Sequence, residues 1–233
     1  MSPSIERIQV LMRTDGRPLN ADVELWQGPD NCPQKMAVYL EDGDMRPFSC
    51  VIESPRGSNT LSVRNTAQME FPLYAAVQPD IRGGPTPLLA NFHRNIIEKP
   101  GRTIQGGAIV TFPFDPMVQK ISVCMKTDGR PLNARIELLQ GPNNNKQVVE
   151  VYCEDGYDRP FMMILDSPGV GNVVRIVNTA TVEFPLTASV DPFLVEDVLD
   201  DLMGPRTTGG REGSSFGGGR RRPGSDPYFF NGP

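Results

Sequence analysis

The residues best suited to chemistry in this 233-residue chain are acids and arginines that occur twice, 113 positions apart. Paired carboxylates are typical of calcium sites and of glycosidase centres. Each acid here, however, falls at a predicted turn or on the outward side of a predicted strand, which favours a structural role. The acids are Asp15 and Asp128, Glu24 and Glu137, Asp42 and Asp155, and Glu70 and Glu183.

Two pairs of arginines flank the same predicted turns. They are Arg17 with Arg130 and Arg46 with Arg159. A guanidinium group binds a carboxylate through two parallel hydrogen bonds. The arginines therefore either pin loops within one copy or bridge one copy to another, and we take all four as candidate interface residues.

Nothing in the sequence completes a catalytic set. His93 is the single histidine, and a lone histidine is more often a satisfied or surface residue than a ligand or a base. The presence of a single histidine excludes a multi-histidine metal site and argues against a nucleophile–histidine pair. The chain also has no phosphate-binding loop, no G-x-G-x-x-G and no G-x-S-x-G. We therefore predict that the protein is not an enzyme and that it has no catalytic residues, no metal and no cofactor.

The spacing of 113 residues reflects an internal duplication. TDGRPLNA occurs at Thr14–Ala21 and again at Thr127–Ala134, and 39 of 73 pairs are identical between Arg7–Pro79 and Lys120–Pro192. Such a repeat indicates two copies of one structural unit. The predicted organisation is a first repeat, a structured linker, a second repeat and a C-terminal extension, at residues 1–79, 80–117, 118–192 and 193–233.

Each copy has the pattern of an all-β domain. Six short segments with alternating apolar residues are separated by turn signals such as Asp-Gly-Arg-Pro, and no helical period lies between them. This pattern predicts an antiparallel β-sandwich or barrel-like domain. The linker contains a predicted helix at Leu88–Glu98 and a predicted strand at Ala108–Phe114, and we expect it to pack along the domains.

The C-terminal extension combines three kinds of sequence. An acidic segment with helical spacing begins at Phe193, a Gly/Arg-rich segment typical of a flexible arm follows, and the aromatic residues Tyr228, Phe229 and Phe230 lie near the end. An apolar triplet on a flexible arm requires cover. It either folds back on its own domain or docks on a neighbouring molecule, so these aromatics are candidate assembly residues.

Composition restricts the partners and the compartment. The net charge of −5 and the absence of RGG repeats argue against nucleic-acid binding, and no apolar run is long enough to span a bilayer. The four cysteines show no paired spacing, which favours buried thiols in a reducing compartment. The beginning of the chain has no leader pattern, so either no targeting signal exists or this is a mature form.

The repeated blocks resemble those of the diatom pyrenoid shell proteins, the PyShell family. The resemblance implies a plastid protein with two β-rich domains that assembles with itself into a sheet around the Rubisco-filled pyrenoid, supporting CO2 fixation. It implies that the protein lies in the chloroplast stroma at the pyrenoid periphery, as a mature form without the family's targeting leader. The blocks are Thr14–Ala21, Glu24–Pro29, Glu41–Gly43, Arg46–Phe48, Asn65–Ala67 and Glu70–Leu73, each with its partner 113 residues later.

Two different functions are compatible with the sequence. The first is a lattice-forming structural protein whose main partner is itself, with Rubisco or other pyrenoid proteins as further partners. The alternative is a tandem β-sandwich module that binds a carbohydrate or another protein, with Trp26 as its platform. The counterpart of Trp26 is Leu139, so one copy alone would carry that platform, and an interface role for Trp26 is favoured.

Overall fold

A computed structural model describes residues 1, 4–55, 58–68, 71–83, 87–142 and 144–193. Within the helix it leaves out the side chains of residues 88 and 90–92. The predictions for the acidic segment after Phe193, for the Gly/Arg-rich segment and for Tyr228, Phe229 and Phe230 lie outside the described residues. They remain predictions.

The described residues form strands and one helix, as the alternating patterns predicted. Residues 8, 10 and 12 of the first strand are fully buried while their neighbours are more exposed, which is the period of two that faces one side to a core. The elements are β1 Ile5–Arg13, β2 Leu19–Gln27, β3 Asn31–Leu40, β4 Phe48–Glu53, β5 Asn59–Asn65, β6 Tyr74–Ile81, α1 Leu88–Glu98, β7 Arg102–Ile104, β8 Ile109–Pro113, β9 Lys120–Lys126, β10 Leu132–Gln140, β11 Asn145–Cys153, β12 Phe161–Asp166, β13 Asn172–Asn178 and β14 Leu186–Pro192.

The strands build two seven-stranded sheets, which confirms the predicted all-β, antiparallel class. We call them sheet A, in the order β6-β1-β4-β12-β9-β14-β7, and sheet B, in the order β5-β2-β3-β11-β10-β13-β8. Every pairing is antiparallel. The inner faces of both sheets contribute to one continuous apolar core.

The two copies meet in the middle of each sheet. In sheet B, β3 pairs with β11 from Leu40 opposite Gln147 to Gln34 opposite Cys153. In sheet A, β4 pairs with β12 over a shorter length. Each sheet therefore continues across the junction, with like strands of the two copies paired about an approximate two-fold axis. The division into domains at residues 79 and 118 stays a prediction, since one core spans both copies.

The helix α1 lies across the outer face of sheet A. Leu89 and Ile96 pack there on apolar residues of β4, β9 and β12, which explains why these strands are buried on both faces. Gln9 Oε1 accepts a hydrogen bond from the Leu89 amide at 3.1 Å, and Lys126 Nζ donates to the Ile97 carbonyl at 2.9 Å. Both ends of the helix are thus tied to sheet A, one to each copy, which satisfies terminal backbone groups.

The linker also contributes two strands to the second copy. In sheet A, β7 pairs with β14, and in sheet B, β8 pairs with β13. The sequence predicted β8 within Ala108–Phe114 but missed β7, because three residues are too short to show a period. Among the described parts of the chain, no helix has the length and apolar character to cross a membrane.

Candidate functional site

The repeated blocks come together at a corner in each copy. In copy one, Thr14 Oγ1 donates to the Arg17 carbonyl at 2.5 Å, and the Gly43 amide donates to the same carbonyl at 3.1 Å. A Cβ on Gly43 would lie 2.4 Å from Thr14 Oγ1, so the close approach of these turns requires glycine. The same contacts recur in copy two through Thr127, Arg130 and Gly156.

The repeated aspartates of the second turn are structural. Asp42 Oδ1 accepts hydrogen bonds from the amides of Asp44 and Met45, both at 3.0 Å. Asp155 Oδ1 does the same for Tyr157 and Asp158 in copy two, at 2.8 and 3.0 Å. A short side chain that closes a turn on its own backbone explains the choice of aspartate here. In the part of the chain that the structure describes, no group of three or more metal-ligating side chains forms.

Arg17 and Arg130 lie at equivalent corners, and each guanidinium is in contact with its own copy. Arg17 lies over the Phe71 ring at 5.6 Å, and Arg130 lies over the Phe184 ring at 5.9 Å. Arg130 Nη1 also donates to the Glu183 carbonyl at 2.6 Å. Both side chains remain 50% exposed, so each presents a charge at the surface while its stem is held.

Arg46 and Arg159 differ from that pair because they are buried. Arg46 is 4% exposed, and its Nη2 donates to Gln140 Oε1 of the other copy at 3.1 Å. Its Nη1 contacts the Met45 sulfur at 3.5 Å. Arg159, at 8% exposure, occupies the equivalent position. Arg46 therefore bridges the two copies of one molecule, and neither side chain presents a free charge to a neighbour.

Trp26 lies on the outer face of sheet B, half-buried near the β5 edge. Its indole nitrogen donates to Glu24 Oε2 at 3.0 Å. A neighbouring groove of about 530 Å³ is lined by Glu24 and by charged or aromatic residues of both copies, including Lys35, Glu150 and Tyr152, but Trp26 is not among them. Trp26 thus lies one strand in from the edge of sheet B and does not form a platform in that groove.

His93 is a buried residue of α1. It is 1% exposed, and its Nδ1 lies 3.1 Å from Glu53 Oε1. Burial lowers the pKa of His93 to about 4, and the nearby Arg7 adds to this. Burial also raises the pKa of Glu53 to about 7, against the opposing effect of Arg7. Because His93 belongs to α1 and Glu53 belongs to β4, the pair attaches the helix to sheet A.

Three of the four cysteines are small buried side chains, and Cys32 is half-buried. Cys50, Cys124 and Cys153 are buried and all four thiols are free. Burial raises the pKa of the Cys50 thiol and raises those of Cys124 and Cys153 to about 12. A thiol with so high a pKa is a poor nucleophile, because the thiolate is the reactive form.

Sequence reasoning missed one exposed surface among the described residues, the outer edge of copy one. In copy two the edge strands β13 and β14 are covered by β8 and β7. In copy one the equivalent strands β5 and β6 are the last in their sheets. Three large apolar residues of β6 or its ends are open to solvent: Tyr74 at 61%, Val77 at 45% and Ile81 at 41%.

A family described as "Diatom pyrenoid shell protein" matches residues 1–192, which includes both copies and the linker. No curated protein matches the chain. The matched region ends where the second copy ends, at β14, so the corners and both outer edges all lie within it.

Proposed function

This chain belongs to the family of diatom pyrenoid shell proteins, and from that membership we propose that it is a self-assembling structural subunit. Copies of it would form a sheet-like lattice around the Rubisco-containing pyrenoid, in the chloroplast stroma, and so support CO2 fixation. The observation that carries the proposal is the family match over residues 1–192. A structural role in the pyrenoid follows from the family, and the lattice and its relation to Rubisco are the proposed part.

The ends of the sandwich support assembly into an open array. One end presents β6 and β5 of copy one, and the other presents β7 and β8 of the linker. Unpaired edge strands readily pair with other chains unless they are covered. Because the two ends are different surfaces, a contact between them is head-to-tail, and such contacts extend indefinitely when the rotation does not close a ring.

The corners offer a second kind of contact. Arg17 and Arg130 are related by the internal repeat and are each half-exposed, so the same contact can be made twice per molecule. Two contact directions, one through the ends and one through the corners, are what a two-dimensional lattice needs. Neither direction uses a buried residue of the core.

Electron microscopy of the purified, concentrated protein tests the proposal. We expect sheets or tubes in negative stain, at protein concentrations where light scattering also rises. A matched sample of the double variant Arg17→Ala and Arg130→Ala is expected to assemble less at the same concentration, with an unchanged circular dichroism spectrum, because its half-exposed corner charges are gone.

A strictly monomeric protein across protein and salt concentrations would remove the proposal. The competing outcome is a saturable ligand, found by glycan array or pull-down, without any self-assembly. That result would favour the tandem binding module, with the groove on sheet B as the first place to look.

A further inference from the structure

The same residues have different environments at the two outer edges of sheet A. Ala188 of β14 is 1% exposed beneath β7, whereas its repeat partner Ala75 of β6 is exposed. Leu186 is 2% exposed, and its partner Leu73 is half-buried. Copy one therefore keeps the side chains of a covered edge without a covering strand among the residues that the structure describes.

Asparagines of the repeat show the same difference. Asn178 Nδ2 donates to the Ile104 carbonyl of β7 at 3.0 Å and to the Phe184 carbonyl at 2.9 Å. Asn65 makes the second contact, to the Phe71 carbonyl at 2.9 Å, and is exposed. Copy one thus retains a hydrogen-bond donor at the position where copy two binds β7.

The segment that covers β14 has a specific glycine requirement. A Cβ on Gly106 would lie 1.7 Å from the Thr181 carbonyl oxygen, and Gly107 has φ of +77°. Both positions therefore need glycine, the first for a close approach and the second for a left-handed backbone. The covering motif is Arg102-Thr103-Ile104 followed, after Gln105, by these two glycines.

The chain contains a second motif of this kind. Arg206-Thr207-Thr208-Gly209-Gly210 follows copy two, just as the covering motif follows copy one. It retains the Arg-Thr pair and both glycines, with one residue fewer between them. Each chain thus has two related edges, β14 and β6, and two related segments, residues 102–107 and residues 206–210. The edge of β14 is already covered by β7.

We propose that the free edge of β6 pairs, as an antiparallel strand, with residues 206–210 of a second copy of this chain. The inference rests on the proposed function, since it requires copies to assemble. Strand addition supplies main-chain hydrogen bonds for affinity, and side-chain positions on the edge supply specificity. The register of β7 on β14, with Thr103 opposite Thr187, places Thr207 opposite Tyr74.

A second copy fits this edge better than the chain's own segment because of the distance that the segment would have to cover. The linker uses residues 82–101 to cross sheet A, whereas residues 193–205 alone would have to cross back, over a face where α1 already lies.

One difference between the two motifs affects the strength of the proposed contact. Ile104 is 1% exposed and belongs to the core, and Thr208 occupies the matching place in the second motif. A threonine gains less from burial than an isoleucine does. The contact between copies is therefore weaker than β7 on β14, as reversible assembly requires.

Disulfide trapping between two differently tagged chains tests the proposal. Both chains carry Cys32→Ser, one carries Tyr74→Cys and the other Thr207→Cys, and they are mixed and mildly oxidised under conditions that give sheets. We expect a disulfide-linked heterodimer in roughly ten-fold excess over the control mixture of Thr187→Cys with Thr207→Cys, because cross-linking needs Cβ atoms within about 4.5 Å. Adding Gly210→Val to the Thr207→Cys chain should lower the yield, and adding Gly218→Val should not.

Three results would overturn the inference while leaving the proposed function intact. The first is the formation of sheets without the heterodimer, and the second is an equal yield of heterodimer in the Thr187→Cys control. The third is a cross-link that forms within a single chain carrying both Tyr74→Cys and Thr207→Cys but never between two chains that carry one substitution each. Absence of sheets under every condition removes the proposed function instead, and this inference with it.

Discussion

At the scale of residues, the buried pair of Glu53 and His93 makes the stability of the fold depend on pH. Its two members respond in opposite directions. The folded-state pKa of Glu53 is raised from 4.5 to about 7, so its stabilising contribution is present below pH 4.5 and is lost as pH rises through 7. The folded-state pKa of His93 is lowered from 6.5 to about 4, so stability is lost as pH falls from 6.5 towards 4.

Glu53→Gln separates these effects, because the amide keeps a hydrogen-bonding partner for His93 without a titrating carboxyl. Between pH 5 and pH 8 the wild-type protein should lose on the order of 2 kcal/mol of unfolding free energy relative to Glu53→Gln. Urea unfolding at the two pH values measures the difference. Glu98→Gln, a change at an exposed acid of the same helix, should follow the wild type. Parallel pH profiles for wild type and Glu53→Gln would contradict the prediction.

At the scale of elements, the linker strands make two halves of similar sequence unequal. Identical asparagines at positions 65 and 178 are respectively exposed and fully buried, because the linker segment that contains β7 and β8 covers copy two and not copy one. Burial makes a lost hydrogen bond expensive, since the former partner is left unpaired and away from water. Stability is thus distributed unevenly along a sandwich whose residues repeat.

Asparagine-to-alanine variants at these two positions measure that inequality. Asn178→Ala should cost about 2–3 kcal/mol, because it leaves the carbonyls of Ile104 and Phe184 without their donor, whereas Asn65→Ala should cost about 1 kcal/mol or less. Denaturant midpoints with unchanged slopes provide the comparison. Equal costs would mean that β7 does not bury the edge of copy two as described.

At the scale of the whole molecule, the proposed assembly would use surfaces that the fold leaves uncovered and the aromatic residues of the C-terminal extension. The described surface offers two unlike ends and two like corners. The aromatic residues Tyr228, Phe229 and Phe230 add an apolar peptide at the end of the chain, and apolar groups of that size are usually covered in an assembled protein.

Deleting Asp226–Pro233 should therefore weaken assembly without changing the circular dichroism spectrum. Deletion of residues 212–219 removes the same number of residues from the Gly-rich segment and keeps the aromatic end, so it serves as the matched control. Pelleting of assemblies by ultracentrifugation quantifies both. Wild-type pelleting by the first variant would show that the terminal peptide has no part in the lattice.

The duplication, the strands of each copy and the turns between them can all be predicted from the amino-acid sequence. These are local properties: an alternating pattern such as Ile8, Val10 and Met12 specifies a strand, and Asp42 or Gly43 specifies a turn through its own backbone. The helix at Leu88–Glu98 was equally readable, because its apolar spacing and the proline after it are also local.

How the two copies join, and which sheet edges are covered, depends on contacts between residues far apart in the chain. The pairing of β3 with β11 and of β4 with β12 is non-local, and no spacing along the chain encodes it. The two copies share edge residues such as Asn65 with Asn178 and Ala75 with Ala188, so these residues cannot say which edge receives the linker. That choice follows from the path of the linker across sheet A, and it leaves β6 open where β14 is closed.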